Sequence, residues 1–189
     1  MNVLLVDNYD SFTYNIAHMV RQYPGVKLTI IKAGELDIGF SGSFDRIIFS
    51  PGPDLPRPGN IMELILRRYE DTIPVLGICL GLQAIYLYYG GKLQQLDEVV
   101  HGRTKNIIVT GKESRLFKNL PKRFMAGLYH SWIADRETVP PELVITAVNE
   151  EDRIMAIRHV THNIEAVQFH PESIMTPDGS QMINSWLSS

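Results

Sequence analysis

The stretch Pro74-Val75-Leu76-Gly77-Ile78-Cys79-Leu80-Gly81-Leu82-Gln83 decides the fold, because an apolar run turns into a helical pattern at the chain's one cysteine. Residues 75–78 are short, apolar and preceded by proline, as suits a buried parallel strand, whereas residues 80–89 repeat apolar side chains at helical spacing. Gly77 and Gly81 stand two residues to either side of Cys79. That spacing matches the G-x-nucleophile-x-G elbow, a sharp strand-to-helix turn whose central residue is strained and whose neighbours must be small. The turn also sets the thiol at a helix N-terminus, where the dipole and unpaired N–H groups favour the reactive thiolate. Without that frame a lone cysteine reads as a small buried hydrophobe. The glycines tilt the reading toward a nucleophile, which then needs a base elsewhere in the chain.

Toward the N-terminus, Asn2-Val3-Leu4-Leu5-Val6 predicts a central strand that ends at Asp7-Asn8-Tyr9-Asp10-Ser11. Ser11 or Asp10 is suited to cap a helix over residues 12–22, with Ile16, Met19 and Val20 on one face, before Pro24-Gly25 breaks it. Residues 26–31 are strand-like, and so is Arg46-Ile47-Ile48-Phe49, which ends at Ser50-Pro51-Gly52-Pro53, a loop that neither helix nor sheet could absorb. Ile61, Leu64, Ile65 and Arg68 mark a further helix. The resulting β-α-β-β-α-β-α order predicts an α/β fold, a mostly parallel open sheet with helices on both faces. Beyond Cys79, residues 105–109, 124–128, 143–148, 154–158 and 164–169 form short strand-like segments, expected to make a smaller antiparallel edge. A last helix over residues 180–187 would bury Met182, Ile183, Trp186 and Leu187.

Bulk properties narrow the function. With 189 residues and 44% hydrophobic content the chain can bury a proper core, and residues 1–189, without repeats or Gly/Ser-rich linkers, are expected to form a single domain. Lys+Arg 18 against Asp+Glu 21, a net charge of -3, offers no electrostatic attraction to nucleic acid or an anionic membrane. One cysteine forms no internal disulfide, and no stretch resembles a signal peptide or a membrane span, so a cytoplasmic location is expected.

The base is expected in Val167-Gln168-Phe169-His170-Pro171-Glu172. His170 ends a strand-like run, and the rigid Pro171 can turn Glu172 toward the same site. A carboxylate on one imidazole nitrogen leaves the other free to take the thiol proton. Acyl transfer from a thiolate also requires donors for the developing oxyanion. The N–H of Leu80, just after the nucleophile, and that of Gly52, between two prolines, are the candidates. In open parallel sheets ligands bind beyond the carboxyl ends of strands, where Cys79, His170 and the 50–53 loop would all lie. Of the other histidines, His18 reads as a surface or groove residue, and His159 and His162 lack the cysteine or carboxylate neighbours of a metal site. His101 and His130 are given no role by composition.

Four blocks then carry a family resemblance: Asp7-Asn8-Tyr9-Asp10-Ser11-Phe12, Ser50-Pro51-Gly52-Pro53, Gly77-Ile78-Cys79-Leu80-Gly81 and Gln168-Phe169-His170-Pro171-Glu172-Ser173. The sequence resembles the class I, triad-type glutamine amidotransferases. The first block points to the branch that serves chorismate-using synthases, the small subunits (component II) of anthranilate synthase and of aminodeoxychorismate synthase. The resemblance implies a flavodoxin-like glutaminase in which Cys79 attacks the side-chain amide of L-glutamine, forming a glutamyl thioester and releasing ammonia. His170 would shuttle protons, Glu172 would orient it, and Gly52 and Leu80 would supply the oxyanion donors. Gly52, Pro53 and Asp54 would border the substrate, Gln83 would contact it, and Ser131 and Trp132 would hold its α-amino-acid end through main-chain atoms.

The implied partner is a separate chorismate-binding synthase subunit (component I), which takes up the ammonia for tryptophan or folate precursors; no metal or organic cofactor is expected. Two departures stand out: Leu82 where the family usually has histidine, and Asp54 where many relatives have a glycine that tolerates positive φ. His101-Gly102-Arg103-Thr104 resembles a family block near the synthase partner, with Arg103 for lysine. Two rival readings are a cysteine hydrolase of γ-glutamyl amides on the same fold and a catalytically silent binding subunit.

Overall fold

Val3, Leu4, Leu5 and Val6 are all buried, with Val3 and Leu5 in one apolar cluster and Leu4 and Val6 in another. Alternate side chains of a strand point to opposite faces, so a strand apolar at every position must be covered on both. The computed structural model, which describes residues 1–36, 43–111 and 113–189, places this segment as β1 (Asn2–Asp7) inside a mixed sheet. It is followed by α1 (Thr13–Gln22), β2 (Lys27–Lys32), β3 (Arg46–Phe49), α2 (Ile61–Tyr69), β4 (Val75–Ile78) and α3 (Leu80–Tyr88), the expected order. Then come β5 (Leu93–Val109), β6 (Arg123–Ala134), β7 (Leu143–Asn149), β8 (Ile154–His159), β9 (Ile164–Val167) and α4 (Gly179–Leu187).

Among the described residues the strands form one sheet in the order β2-β1-β3-β4-β9-β8-β7-β5-β6. Pairing is parallel from β2 through β9 and antiparallel from β9 through β6. The parallel sheet is as expected, and the antiparallel part is wider than an edge. Helices cover both faces: α1 and α4 pack Ile16, Val20, Met182, Ile183 and Trp186 into the cluster holding Val3 and Leu5. On the other face α2 and α3 pack Met62, Ile65, Leu66, Leu82 and Ile85 against Leu4 and Val6.

Three local expectations are corrected. Neither Ser11 nor Asp10 caps α1: Phe12 holds the N-cap position without a side-chain bond. The Asp10 carboxylate instead accepts the Phe12 N–H at 2.8 Å within the preceding turn. In α2 the buried stripe is Met62, Ile65 and Leu66, while Leu64 stays 37% exposed, so the helix is rotated from the expected face. Asn60 sets that start by accepting the N–H groups of Met62 at 2.9 Å and Glu63 at 3.2 Å. Finally, β5 and β6 extend well beyond residues 105–109 and 124–128, so His101 and the 129–132 run lie on strands.

Candidate active site

Cys79 stands between β4 and α3 with φ 52 and ψ -98, a conformation that costs an L-residue of the order of 1–3 kcal/mol. Its neighbours hold it there. The Cys79 N–H donates to Val167 O at 2.7 Å, continuing the β4–β9 ladder, and its carbonyl accepts the Gln83 N–H at 3.1 Å. A Cβ on Gly77 would lie 2.6 Å from the Gly81 carbonyl carbon, and one on Gly81 would lie 2.8 Å from Phe49 O. The two glycines therefore let α3 descend directly onto β3 and β4. Only the first turn of α3 lacks intrahelical acceptors for its N–H groups, and the Leu80 N–H belongs to it.

The Gly52 loop is fastened to the end of β1. The Asn8 N–H donates to Ser50 Oγ at 2.8 Å, and Asn8 Nδ2 donates to the Ser50 carbonyl at 2.9 Å. This gives the Asp7-Asn8-Tyr9-Asp10 block its physical purpose. A Cβ at Gly52 would come within 2.5 Å of Leu80 Cδ2 and 2.9 Å of Asn8 O, so the Gly52 backbone packs against the residue that follows the cysteine.

His170 is pinned on every side. Its N–H donates to Gly127 O at 3.0 Å in an isolated antiparallel bridge, and its carbonyl accepts the Thr176 hydroxyl at 2.6 Å. The Ser173 N–H closes back on the His170 carbonyl at 3.2 Å, a turn for which Pro171 is pre-set. That turn brings Glu172 Oε1 to 2.7 Å from His170 Nδ1, with both side chains buried. Phe12 and Tyr129 set their rings against the imidazole, at centroid distances of 5.4 and 4.9 Å. Burial opposes the charged imidazolium, yet Cys79 and Glu172 outweigh it and hold His170 well above the ordinary histidine range. The Nε2 atom has no hydrogen-bond partner among the described residues, and His170 and Cys79 line the same cleft. His130, on β6, moves the other way: burial first, then the positive charges of His170 and Arg153, push it down to about 4, so it is neutral.

These groups open on one cleft of about 640 Å³. Of the expected site residues, Cys79, His170, Gly52, Pro53, Asp54, Gln83, Ser131 and Trp132 line it, with Leu80 and Glu172 behind the wall. Gln83 ties the two sides together, donating from Nε2 to the Trp132 carbonyl at 2.9 Å. The β5–β6 ladder breaks between Gln95 and Val100, so Ser131, between the paired Trp132 and His130, has no register partner there. Asp54 does not adopt positive φ, so it strains the loop no more than other residues would. Leu82 is fully buried in the core cluster of α2 and α3 and does not reach the cleft. A cavity of about 670 Å³ between Arg115, Lys118, Arg158 and His162 lies apart from Cys79 and His170. Among the described residues no cluster of three or more His, Cys, Asp or Glu is placed to hold a metal ion.

Three contributors escaped the sequence reading. Phe12 and Tyr129 flank His170, and Gln168 reaches the sulfur, its Nε2 3.4 Å from Cys79 Sγ. Gln168 was detectable in principle: it lies two residues before His170, the spacing that shares a face in extended chain.

Comparison with known proteins agrees with this geometry. Residues 4–188 match the family described as "Glutamine amidotransferase class-I". Anthranilate synthase component 2 of Lactococcus lactis is 40% identical, covering 98% of this chain and 93% of its own. The aminodeoxychorismate/anthranilate synthase component 2 of Bacillus subtilis is 37% identical over 98% of this chain and 95% of its own. A crystal structure from Thermoplasma acidophilum, of a protein assigned as one of the GMP synthase subunits, shares the fold, with a TM-score of 0.85 at 22% identity over 100% of this chain and 92% of that one. By the span of the family match and the identity to these relatives, the chain belongs to the class-I glutamine amidotransferases.

Proposed function

We propose that this chain is the glutaminase component of anthranilate synthase, releasing ammonia from L-glutamine for a separate chorismate-binding synthase subunit. The observation that carries the chemistry is a thiol at a strained elbow facing an imidazole already bound to a buried carboxylate, in one cleft. The Cys79 thiolate attacks the side-chain amide carbon, and the N–H groups of Gly52 and Leu80 hold the resulting oxyanion. His170, kept protonated by Glu172 and the thiolate, gives its proton to the leaving nitrogen, and ammonia departs as the C–N bond breaks. His170, now neutral, takes a proton from water. The hydroxide attacks the thioester, the C–S bond breaks, and glutamate leaves with the thiolate restored.

Pro53, Asp54 and Gln83 border the glutamine, and the main chain at Ser131, which has no register partner on β5, and at the neighbouring Trp132 receives its α-amino-acid end. Residues 1–189 act as one glutaminase domain, in keeping with the near-equal length of the component 2 relatives. The name of the Bacillus subtilis relative favours a second reading, in which the same ammonia also serves aminodeoxychorismate synthesis. The acceptor is chosen in the synthase subunit. The net charge of -3 gives no attraction to nucleic acid, and no helix among the described residues is long and apolar enough to cross a membrane.

Ammonia release from glutamine, measured with and without component I, tests the reading. Cys79→Ala abolishes it in both cases on this account. Retained release would overturn the mechanism, and equal wild-type rates with and without the synthase would argue against activation by the partner.

A further inference from the structure

Gln168 occupies the step after Val167 on β9, and Val167 pairs in register with Ile78 on β4. In a parallel ladder the next residues, Gln168 and Cys79, are neighbours, and the Gln168 Nε2 lies 3.4 Å from the Cys79 sulfur. Its side chain is fully buried, and its Oε1 has no hydrogen-bond partner among the described residues. A buried carboxamide with an unmet acceptor costs free energy that a leucine of similar size would not. Among the described residues the side chain's one hydrogen bond is to the Cys79 sulfur. Turning the amide over would point its oxygen at the sulfur and repel a thiolate, so the orientation with N–H inward suits the charged form. The titratable and charged groups that line the cleft with this sulfur are His170, with Glu172 behind it, His130, His101 and Tyr129 from the antiparallel strands, and Asp10, Asp54 and Arg57 from the loops. Gln168 is uncharged and donates to the sulfur itself.

We propose that Gln168 is a further active-site residue, whose side-chain N–H donates to the Cys79 sulfur and holds it as a thiolate aimed into the cleft. His170 can then give its Nε2 proton to the leaving nitrogen while the sulfur keeps a hydrogen bond. Phe169 lies between the two in sequence and is buried in the core, so Gln168 and His170 share the face toward the thiol. The inference takes from the proposed function only that Cys79 reacts as a thiolate.

Because Cys79 is the chain's one cysteine, the rate of iodoacetamide alkylation of the full chain, followed by intact mass across a pH series, reports that thiol alone. Loss of a charge-assisted hydrogen bond in Gln168→Leu should move the midpoint of the profile up by about one pH unit, about tenfold slower labelling below it. Gln168→Glu, of the same size but negative, should move it further, and the high-pH plateau should stay at the wild-type rate in both. A Gln168→Leu profile that superimposes on wild type, or a lowered plateau with an unmoved midpoint, would overturn the assignment. Should the variants fold poorly, the side-chain amide resonance of Gln168 in the 15N-labelled wild-type chain gives the same answer. It shifts with the alkylation midpoint if the N–H contacts the thiolate, and the absence of any shift overturns the proposal. Neither readout involves glutamine, so a failure of the glutaminase reading would be seen separately, as absent ammonia release.

Discussion

Cys79 and the Gly52 loop follow β4 and β3, at the carboxyl ends of parallel strands, whereas Tyr129, His130, Ser131 and Trp132 lie within β6, the outermost strand of the antiparallel half. A parallel strand that stops at a turn can hold its last residue in a strained conformation and leave the next N–H unpaired. Cys79 and Leu80 use both properties. An edge strand offers something else, a main chain whose outer side pairs with no further strand and is bridged at Gly127 to His170, and, at the break opposite residues 95–100, a gap on the other. In the proposed mechanism the parallel half supplies the nucleophile, and the antiparallel half supplies a wall suited to a substrate's polar backbone. His170 joins them, bonded by its N–H to Gly127 of β6 while following β9.

On this division, damage to the His170 support should be the most costly. Glu172→Gln keeps the size but removes the charge that raises His170, and should lower kcat by about 10³-fold with KM little changed. Steady-state glutaminase assays in the presence of the synthase subunit would measure it.

His130, on the opposite wall, should show itself in stability. Its folded value of about 4 lies below its ordinary 6.5, so between these the unfolded chain binds the proton more readily. Stability therefore falls as pH drops through that window, by about 2 kcal/mol from this group on going from pH 7 to pH 5. Urea denaturation at the two pH values should show the loss, and His130→Gln should remove most of it. His170 has the opposite sign: its contribution is present below the ordinary histidine value and disappears as pH rises through its elevated folded value.

Gln83 fastens α3 to the β6 wall through the Trp132 carbonyl. Gln83→Leu should lower kcat/KM for glutamine about tenfold, chiefly through KM, because it loosens the wall without touching the thiol. The smallest effect is expected at Asp54. Asp54→Gly should change stability in urea denaturation by less than about 0.5 kcal/mol, since exposed substitutions free of strain act weakly. A large gain would show that the loop is strained after all.

The parallel half was the more legible in sequence, for a physical reason. Strands covered on both faces read as unbroken apolar runs, and the spans of β3 and β4 coincide with Arg46-Ile47-Ile48-Phe49 and residues 75–78. The glycines around Cys79 announce themselves because close backbone contact tolerates little else. The antiparallel strands are longer and more mixed. Gln94, Gln95, Asp97, His101 and Arg103 stand exposed on β5, where no clean alternation survives. Asp10 shows a second limit, since its carboxylate was equally suited to a cap or a tight turn and went to the turn. Leu64 shows a third, because Met62 and Leu66 compete with it for the buried face and the Asn60 cap settles the rotation. The contacts of Gln168 with Cys79, and of Phe12 and Tyr129 with His170, depend on register between distant segments, which local patterns do not carry.

The central claim, that the strained residue at the end of β4 forms a covalent bond to glutamine, is tested most directly by acid-quenching the complex with the synthase subunit during turnover and weighing this chain intact. The account predicts one glutamyl group per chain, mapped by peptide analysis to Cys79, discharged by hydroxylamine and absent from Cys79→Ala. A glutamyl group on any other residue, or sustained ammonia release from the Cys79→Ala chain, would contradict it.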